Sequence, residues 1–137
     1  MTAYLFDTDA LSELVKPRPS PAFVEWLRSI DRAVQFTSAT VIGELYYGAH
    51  RSGQAERHLR NIEEKLLPRV TVLPYDLGVA MKFGQLRAKL EGQGKPLPDA
   101  DLQIAAAAIA YNLELVTGNV RHFERIDGLR INPILRA

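Results

Sequence analysis

Short apolar runs alternate along this chain with longer stretches of helical periodicity, and that alternation sets out its elements. Residues 3–6 form a short apolar run that ends on Asp7, and residues 8–15 follow as one or two helical turns. Pro17, Pro19 and Pro21 then interrupt the pattern. Pro21 suits the first turn of a helix capped by Ser20, and Phe23, Trp26, Leu27 and Ile30 recur at helical spacing within it. Residues 33–36 predict a second strand. Ser38 suits the N-cap of the next helix, which ends near residues 50–53. Over residues 54–67 the pattern is amphipathic, with Leu59, Ile62 and Leu66 on one side and Arg57, Arg60, Glu63 and Glu64 on the other. Residues 70–73 predict a third strand closed by Pro74, and Asp76 caps a helix running to about Glu91. After a Gly- and Pro-rich loop, Asp99 caps an alanine-rich helix. The centre of that helix, residues 104–111, is apolar almost all round and therefore buried. Residues 115–117 and 129–131 supply a fourth and a fifth strand.

Strands alternating with helices imply an α/β fold with a parallel sheet covered on both faces. Such sheets bind ligands beyond the carboxyl ends of their strands. Asp7 and the segment after Thr117 both fall there. Repeats, low-complexity tracts and linkers are missing, so the expectation is a single domain over residues 1–137.

Composition narrows the chemistry more than the fold. Of 137 residues, 47% are apolar and 24% charged, the balance of an ordinary soluble domain. Seventeen basic residues against 16 acidic ones leave a formal net charge of +1, so overall charge does not select a partner. The absence of cysteine excludes disulfides, thiolate catalysis and Cys-ligated zinc. With no signal-like N-terminus and no run long enough to span a membrane, a cytoplasmic location is expected. The three histidines form no ligand pair in sequence, and neither a Gly-x-Ser-x-Gly elbow nor a Gly-rich phosphate loop is present.

What remains is a set of acids. Asp7 follows a buried strand directly, where an unpaired carboxylate is rare; its plainer reading is a helix cap, shared with Asp9. Glu44 lies among Val41, Ile42, Leu45 and Tyr46 in a helix that looks largely packed away, although a helical Glu is more often solvated surface. Asp99 and Asp101 share one helix N-terminus, where the macrodipole favours negative charge by itself. Asp99 has the cap position and an outer role, while Asp101 faces the metal. Asn119 sits in a Gly118-Asn119 turn and offers a neutral oxygen. Acids that converge repel one another and lose solvation, so a hard cation bound by oxygen ligands, Mg2+ or Mn2+, is the natural neutraliser.

Four segments taken in order sharpen this. They are Leu5-Phe6-Asp7-Thr8-Asp9-Ala10-Leu11-Ser12; Gly43-Glu44-Leu45 with Gly48; Asp101-Leu102-Gln103-Ile104-Ala105-Ala106; and Leu115-Val116-Thr117-Gly118-Asn119 with His122-Phe123. Together they resemble the PIN-domain ribonucleases, and more closely the VapC toxins of toxin–antitoxin pairs, over essentially the whole chain. The resemblance implies a three-layer α/β/α sandwich around a mainly parallel sheet. It implies Mg2+- or Mn2+-dependent hydrolysis of an RNA phosphodiester, tRNA or rRNA, with Asp7, Glu44 and Asp101 as the metal-facing acids. The family's fourth acid falls on Asn119, where this chain departs from the four-acid pattern and weakens a second metal position. Asp9, Asp99, Thr117 and Ser12 would stand around the metal-facing residues and orient them. Lys16, Arg18, Arg51 and Arg121 follow the acidic motifs and would grip the RNA backbone. The implied partners are a VapB-like antitoxin and a second copy of the chain, with Trp26, Leu27, Tyr46, Tyr47 and Leu59 supplying both surfaces.

Two other readings compete. An aspartyl-phosphate phosphatase would use Asp7-Thr8-Asp9, but such enzymes continue with Gly-Thr where this chain has Ala10-Leu11. A PIN-like module that binds RNA or protein without cutting is kept open by Asn119.

Overall fold

The computed structural model describes residues 1–136. Five strands form one sheet: β1 (Tyr4–Phe6), β2 (Gln35–Ser38), β3 (Thr71–Leu73), β4 (Glu114–Val116) and β5 (Ile131–Asn132). Their order is β3-β2-β1-β4-β5, and every pairing is parallel. The chain thus builds outward from β1 through β2 to β3, then crosses back to place β4 on the other side of β1. That reversal leaves a crevice at the carboxyl ends of β1 and β4.

Among the described residues, seven α-helices flank the sheet: α1 (Thr8–Leu14), α2 (Pro21–Arg28), α3 (Ala39–Arg51), α4 (Ala55–Asn61), α5 (Leu77–Gly92), α6 (Asp99–Ala110) and α7 (Val120–Phe123). Both faces are covered, because successive strand residues point to opposite sides and both sides are buried. Leu5 and Phe6 on β1, and Leu115 and Val116 on β4, are at most 1% exposed. Phe6 meets Phe23 and Trp26 of α2 edge-on, and Tyr4 meets Trp26 in the same way. In α6 the run Ile104–Ala108 is buried, as its apolar sequence requires. The three-layer architecture is therefore as expected.

The departures from the sequence reading are local. The second strand begins at Gln35 rather than residue 33, because Asp31 accepts the N–H of Ala33 at 2.9 Å and caps a 3-10 turn over Arg32–Val34. The amphipathic stretch 54–67 is not one helix. After α4 it widens into a π turn over Ile62–Leu66 and then tightens to a 3-10 turn over Leu67–Arg69. Pro68, with no N–H to donate, stops the ladder there, while Ile62 and Leu66 remain buried. Asp99 does not cap α6: Pro98 occupies that position without a side-chain bond, and Asp99 is the first helical residue. The fifth strand is Ile131–Asn132, paired with Leu115 and Val116. Among the described residues no helix is long and apolar enough to cross a membrane.

Candidate active site

Asp7 sits at the centre of the crevice. It follows β1 directly, and its backbone N–H donates to the Val116 carbonyl of β4 at 3.0 Å, continuing the sheet by one residue. The side chain takes the cap role anticipated for it and makes a second bond besides. Oδ1 accepts the N–H of Thr8 at 2.7 Å and caps α1, while Oδ2 accepts the Thr117 hydroxyl at 2.8 Å. Only 7% of the residue is exposed. Burial pushes the Asp7 carboxyl up to about 6, with the charges of Asp9 and Glu44 adding to it and the bonds from Thr117 and Thr8 opposing it.

Glu44 joins this centre through Thr8, whose hydroxyl donates to Glu44 Oε1 at 2.5 Å. Its place on α3 is set by Ser38, which ends β2 and caps the helix by accepting the Val41 N–H at 3.2 Å. Asp9 turns toward β4, and its Oδ2 accepts the N–H of Gly118 at 2.8 Å. Burial raises the Asp9 carboxyl above the usual carboxylate range, and the Gly118 bond opposes that shift. Only glycine leaves room here: a Cβ at position 118 would lie 2.9 Å from Asp9 Oδ2.

Asp101 reaches the centre by a longer route. Its Oδ2 lies 3.3 Å from His122 Nδ1, and that nitrogen is 2.9 Å from the Asn119 side-chain amide. The Asn119 N–H donates to the Thr117 hydroxyl oxygen at 3.0 Å, and Thr117 in turn donates to Asp7. A continuous polar chain therefore runs Asp7–Thr117–Asn119–His122–Asp101, with a branch through Thr8 to Glu44. Thr117 is fully buried, which fixes the middle of that chain. Asn119 precedes α7 without capping it by a side-chain bond.

Sequence reasoning missed two members of this network, Thr8 and His122. A hydroxyl directly after the strand-end acid was the available signal for Thr8. For His122 it was a position three residues after Asn119, one helical turn on. Asp99 is not gathered in: its carboxylate is exposed and pairs at 3.5 Å with Arg87 of α5. Ser12 lines a cavity of about 230 Å3 beside Thr8 and Glu44, which continues past Leu45, Gly48 and His58 to Ile62.

The donor set suits a hard cation, since Asp7, Glu44, Asp101 and Asn119 offer only oxygen. Asp7 in particular is a buried carboxylate whose partners are hydroxyl and amide groups, with no Lys or Arg in an ion pair to it among the described residues. The acids stand as neighbours rather than as a closed cage: among the described residues no three His, Asp or Glu side chains group closely enough to enclose one ion.

The basic residues divide. Lys16 is exposed, 2.8 Å from Glu13, and borders a depression of about 400 Å3 whose lining includes Asp9, Asn119 and Arg136. Arg51 is turned onto Tyr47, with its guanidinium 5.8 Å from the ring centroid and a 3.1 Å bond to the hydroxyl. Arg18 and Arg121 are exposed. A further cavity of about 440 Å3 collects Lys16, Arg57, Arg60 and Lys65 around Asn61. Of the apolar side chains expected to meet partners, Trp26, Leu27, Tyr46 and Leu59 pack into the core, and Tyr47 is 63% exposed.

A parallel sheet with acids at its switch point and a polar chain tying them together defines a class, and the PIN-domain family model matches residues 4–129. Ribonuclease VapC2 of Haemophilus influenzae is 36% identical over 95% of this chain and 96% of its own length. The tRNA(fMet)-specific endonuclease VapC of Shigella flexneri is 37% identical over 95% and 96% respectively. Among solved structures, DNA-bound VapBC from Salmonella typhimurium superposes with a TM-score of 0.87 at 35% identity, covering 96% of this chain and 98% of that one. FitAcB from Neisseria gonorrhoeae follows at 0.82 and 31%, covering 95% and 97%. The chain belongs to the PIN-domain family and, within it, to the VapC ribonucleases.

Proposed function

We propose that this protein is the toxin of a VapBC-type pair: a Mg2+- or Mn2+-dependent endoribonuclease, formed by one domain over residues 1–137 and acting in the cytoplasm. The observation that carries the cation-dependent reading is the buried Asp7 carboxyl, pushed up to about 6 at the end of β1 and wired through Thr117 and Thr8 to the rest of the acidic set. Holding that group as an anion at neutral pH costs the folded chain free energy, and a cation beside it would offset that cost.

Asp7 and Asp101 would hold the principal cation, with Glu44 and the Asn119 amide completing its oxygen environment. When bound, a divalent cation there polarises the scissile phosphate and makes an attacking water more acidic. Glu44, half-buried on α3 and bonded by the Thr8 hydroxyl, would take the proton from that water. Thr117 and Thr8 keep the Asp7 carboxylate in one orientation through bonds to both of its oxygens. Lys16 and Arg136, at the edge of the depression next to Asp9 and Asn119, would meet the phosphates that flank the cut.

The solved VapBC complexes support a VapB-like antitoxin as the partner. A homodimer is proposed with it. The Shigella relative's tRNA(fMet) makes initiator tRNA the first substrate to try. The deciding assay frees the toxin of its antitoxin and incubates it with a panel of tRNAs and rRNA, with and without Mg2+ or Mn2+. Wild type should cut at a defined site only with the metal. Asp7→Asn and Asp101→Asn should abolish cutting, and Glu44→Gln should lower it by roughly 10²–10⁴-fold, the usual worth of a general base. Cleavage retained in both Asp variants would sink the carboxylate assignment. A wild type that binds RNA but cuts none of the panel would favour the non-cleaving module, and a phosphate analogue trapped on Asp7 the phosphatase.

A further inference from the structure

One side chain of the site has a contact pattern that depends on which ring nitrogen carries a proton. His122 Nδ1 faces Asp101 Oδ2 at 3.3 Å and the Asn119 side-chain nitrogen, Nδ2, at 2.9 Å. A ring nitrogen carries either a proton or a lone pair. A bare Nδ1 would accept from an amide N–H of Asn119, but it would then meet the Asp101 oxygen lone pair to lone pair. A protonated Nδ1 donates to the carboxylate in a charge-assisted bond. It also suits Asn119 once that amide presents its oxygen, since amide oxygen and nitrogen are assigned from the network. The backbone that carries the ring is held in place, because Phe123 beside it is fully buried and pins α7 to the core. His122 is also the one hydrogen-bond partner of the Asp101 carboxylate among the described residues.

We propose that His122 is a positioning residue: its Nδ1–H clamps the Asp101 carboxylate and locks it to Asn119, so that the acid on α6 and the turn after β4 present their oxygens to one cation. The inference rests on the cation reading given above and extends it to a residue outside the acidic set. The clamp requires the Asn119 amide to turn over, so that its oxygen takes the place of the nitrogen now facing the ring. The ring nitrogen left over, Nε2, lies outside the clamp.

Two measurements test this, and the first does not depend on metal or RNA. Long-range 1H–15N NMR spectra of the metal-free protein should show His122 as the Nδ1–H tautomer, and Asp101→Ala should abolish that preference. A wild-type His122 found as the Nε2–H tautomer overturns the clamp. The second measurement titrates Mn2+ by electron paramagnetic resonance. Loss of an outer partner that orients a ligand weakens metal binding by roughly 10–100-fold, so His122→Ala and His122→Gln should each raise the Mn2+ Kd by that factor. His122→Asn, whose amide N–H falls near the Nδ1 position, should recover most of the affinity. Thermal melting of the metal-free variants serves to separate positioning from folding and should match wild type. Mn2+ binding unchanged in His122→Ala overturns the proposal, as does a 14N coupling from His122 on bound Mn2+, which would make it a direct ligand. A wild type that shows the clamp and binds Mn2+ in this pattern, yet cuts no RNA, would sink the nuclease reading and leave the role of His122 in place.

Discussion

Asp7 carries the site's largest electrostatic debt, and its consequence can be read from stability. The folded carboxyl titrates at about 6 against an ordinary value of 3.8, so the folded chain binds this proton more tightly than the unfolded one. Stability from that proton is fully present below about pH 4 and is lost as pH rises through about 6; above it the ionised group costs on the order of 3 kcal/mol. Metal-free Asp7→Asn should therefore melt higher than wild type at pH 7.5, with the gap closing near pH 4. Equal gaps at both pH values would refute the burial argument. Added Mn2+ should raise the melting temperature of wild type at pH 7.5 and leave Asp7→Asn where it was. Gly118 gives a second residue-scale test. In Gly118→Ala the new Cβ would push Asp9 off the Gly118 N–H, a loss of about 1 kcal/mol or more in stability, together with lower Mn2+ affinity. Asp7, Glu44 and Thr117 were legible because each sits at a strand end or on a packed helix face that its neighbours announce. His122 was not, because its link to Asp101 spans 21 residues and exists only once α6 and α7 converge.

At the scale of elements, capping explains both what the sequence disclosed and what it hid. Ser20, Ser38 and Asp76 cap the helices assigned to them, each accepting the N–H three residues on. Asp31 also caps, but it caps a 3-10 turn, and that turn displaced β2 by two residues. The π turn at Ile62–Leu66 had no sequence signature of its own. It lets Ile62 and Leu66 stay buried ahead of Pro68, and a periodic pattern reads the same whether the ladder is α or π. Asp99 failed as a cap because Pro98 takes the position and Arg87 draws its carboxylate aside. The Ser38 cap is the element on which Glu44 depends. Ser38→Ala should cost about 1 kcal/mol in urea unfolding and should lower cleavage more than stability alone explains. An unchanged rate would show that α3 holds Glu44 without its cap.

For the molecule as a whole, the net charge of +1 conceals a segregated surface. Arg57, Arg60 and Lys65 gather with Lys16 around one cavity, and that cavity shares Val15 and Asn61 with the one that leads to Glu44. RNA drawn to the acidic centre would leave along this path. Measured by filter binding on an Asp7→Asn background, which keeps the RNA intact, Arg57→Ala and Arg60→Ala should each flatten the log–log dependence of affinity on salt by about 0.7 for a single strand. Unaltered slopes would place the backbone elsewhere. The sheet order has a consequence in time as well as in space. The hydroxyl that orients Asp7, on Thr117, is synthesised 110 residues after it. At translation rates of 5–20 residues per second the acid waits roughly 5–20 s for that partner. Asp101 and His122 also arrive late. The acidic centre of a nascent chain therefore stays incomplete until Thr117, Asn119 and His122 have followed, and an antitoxin has only to be ready from then on.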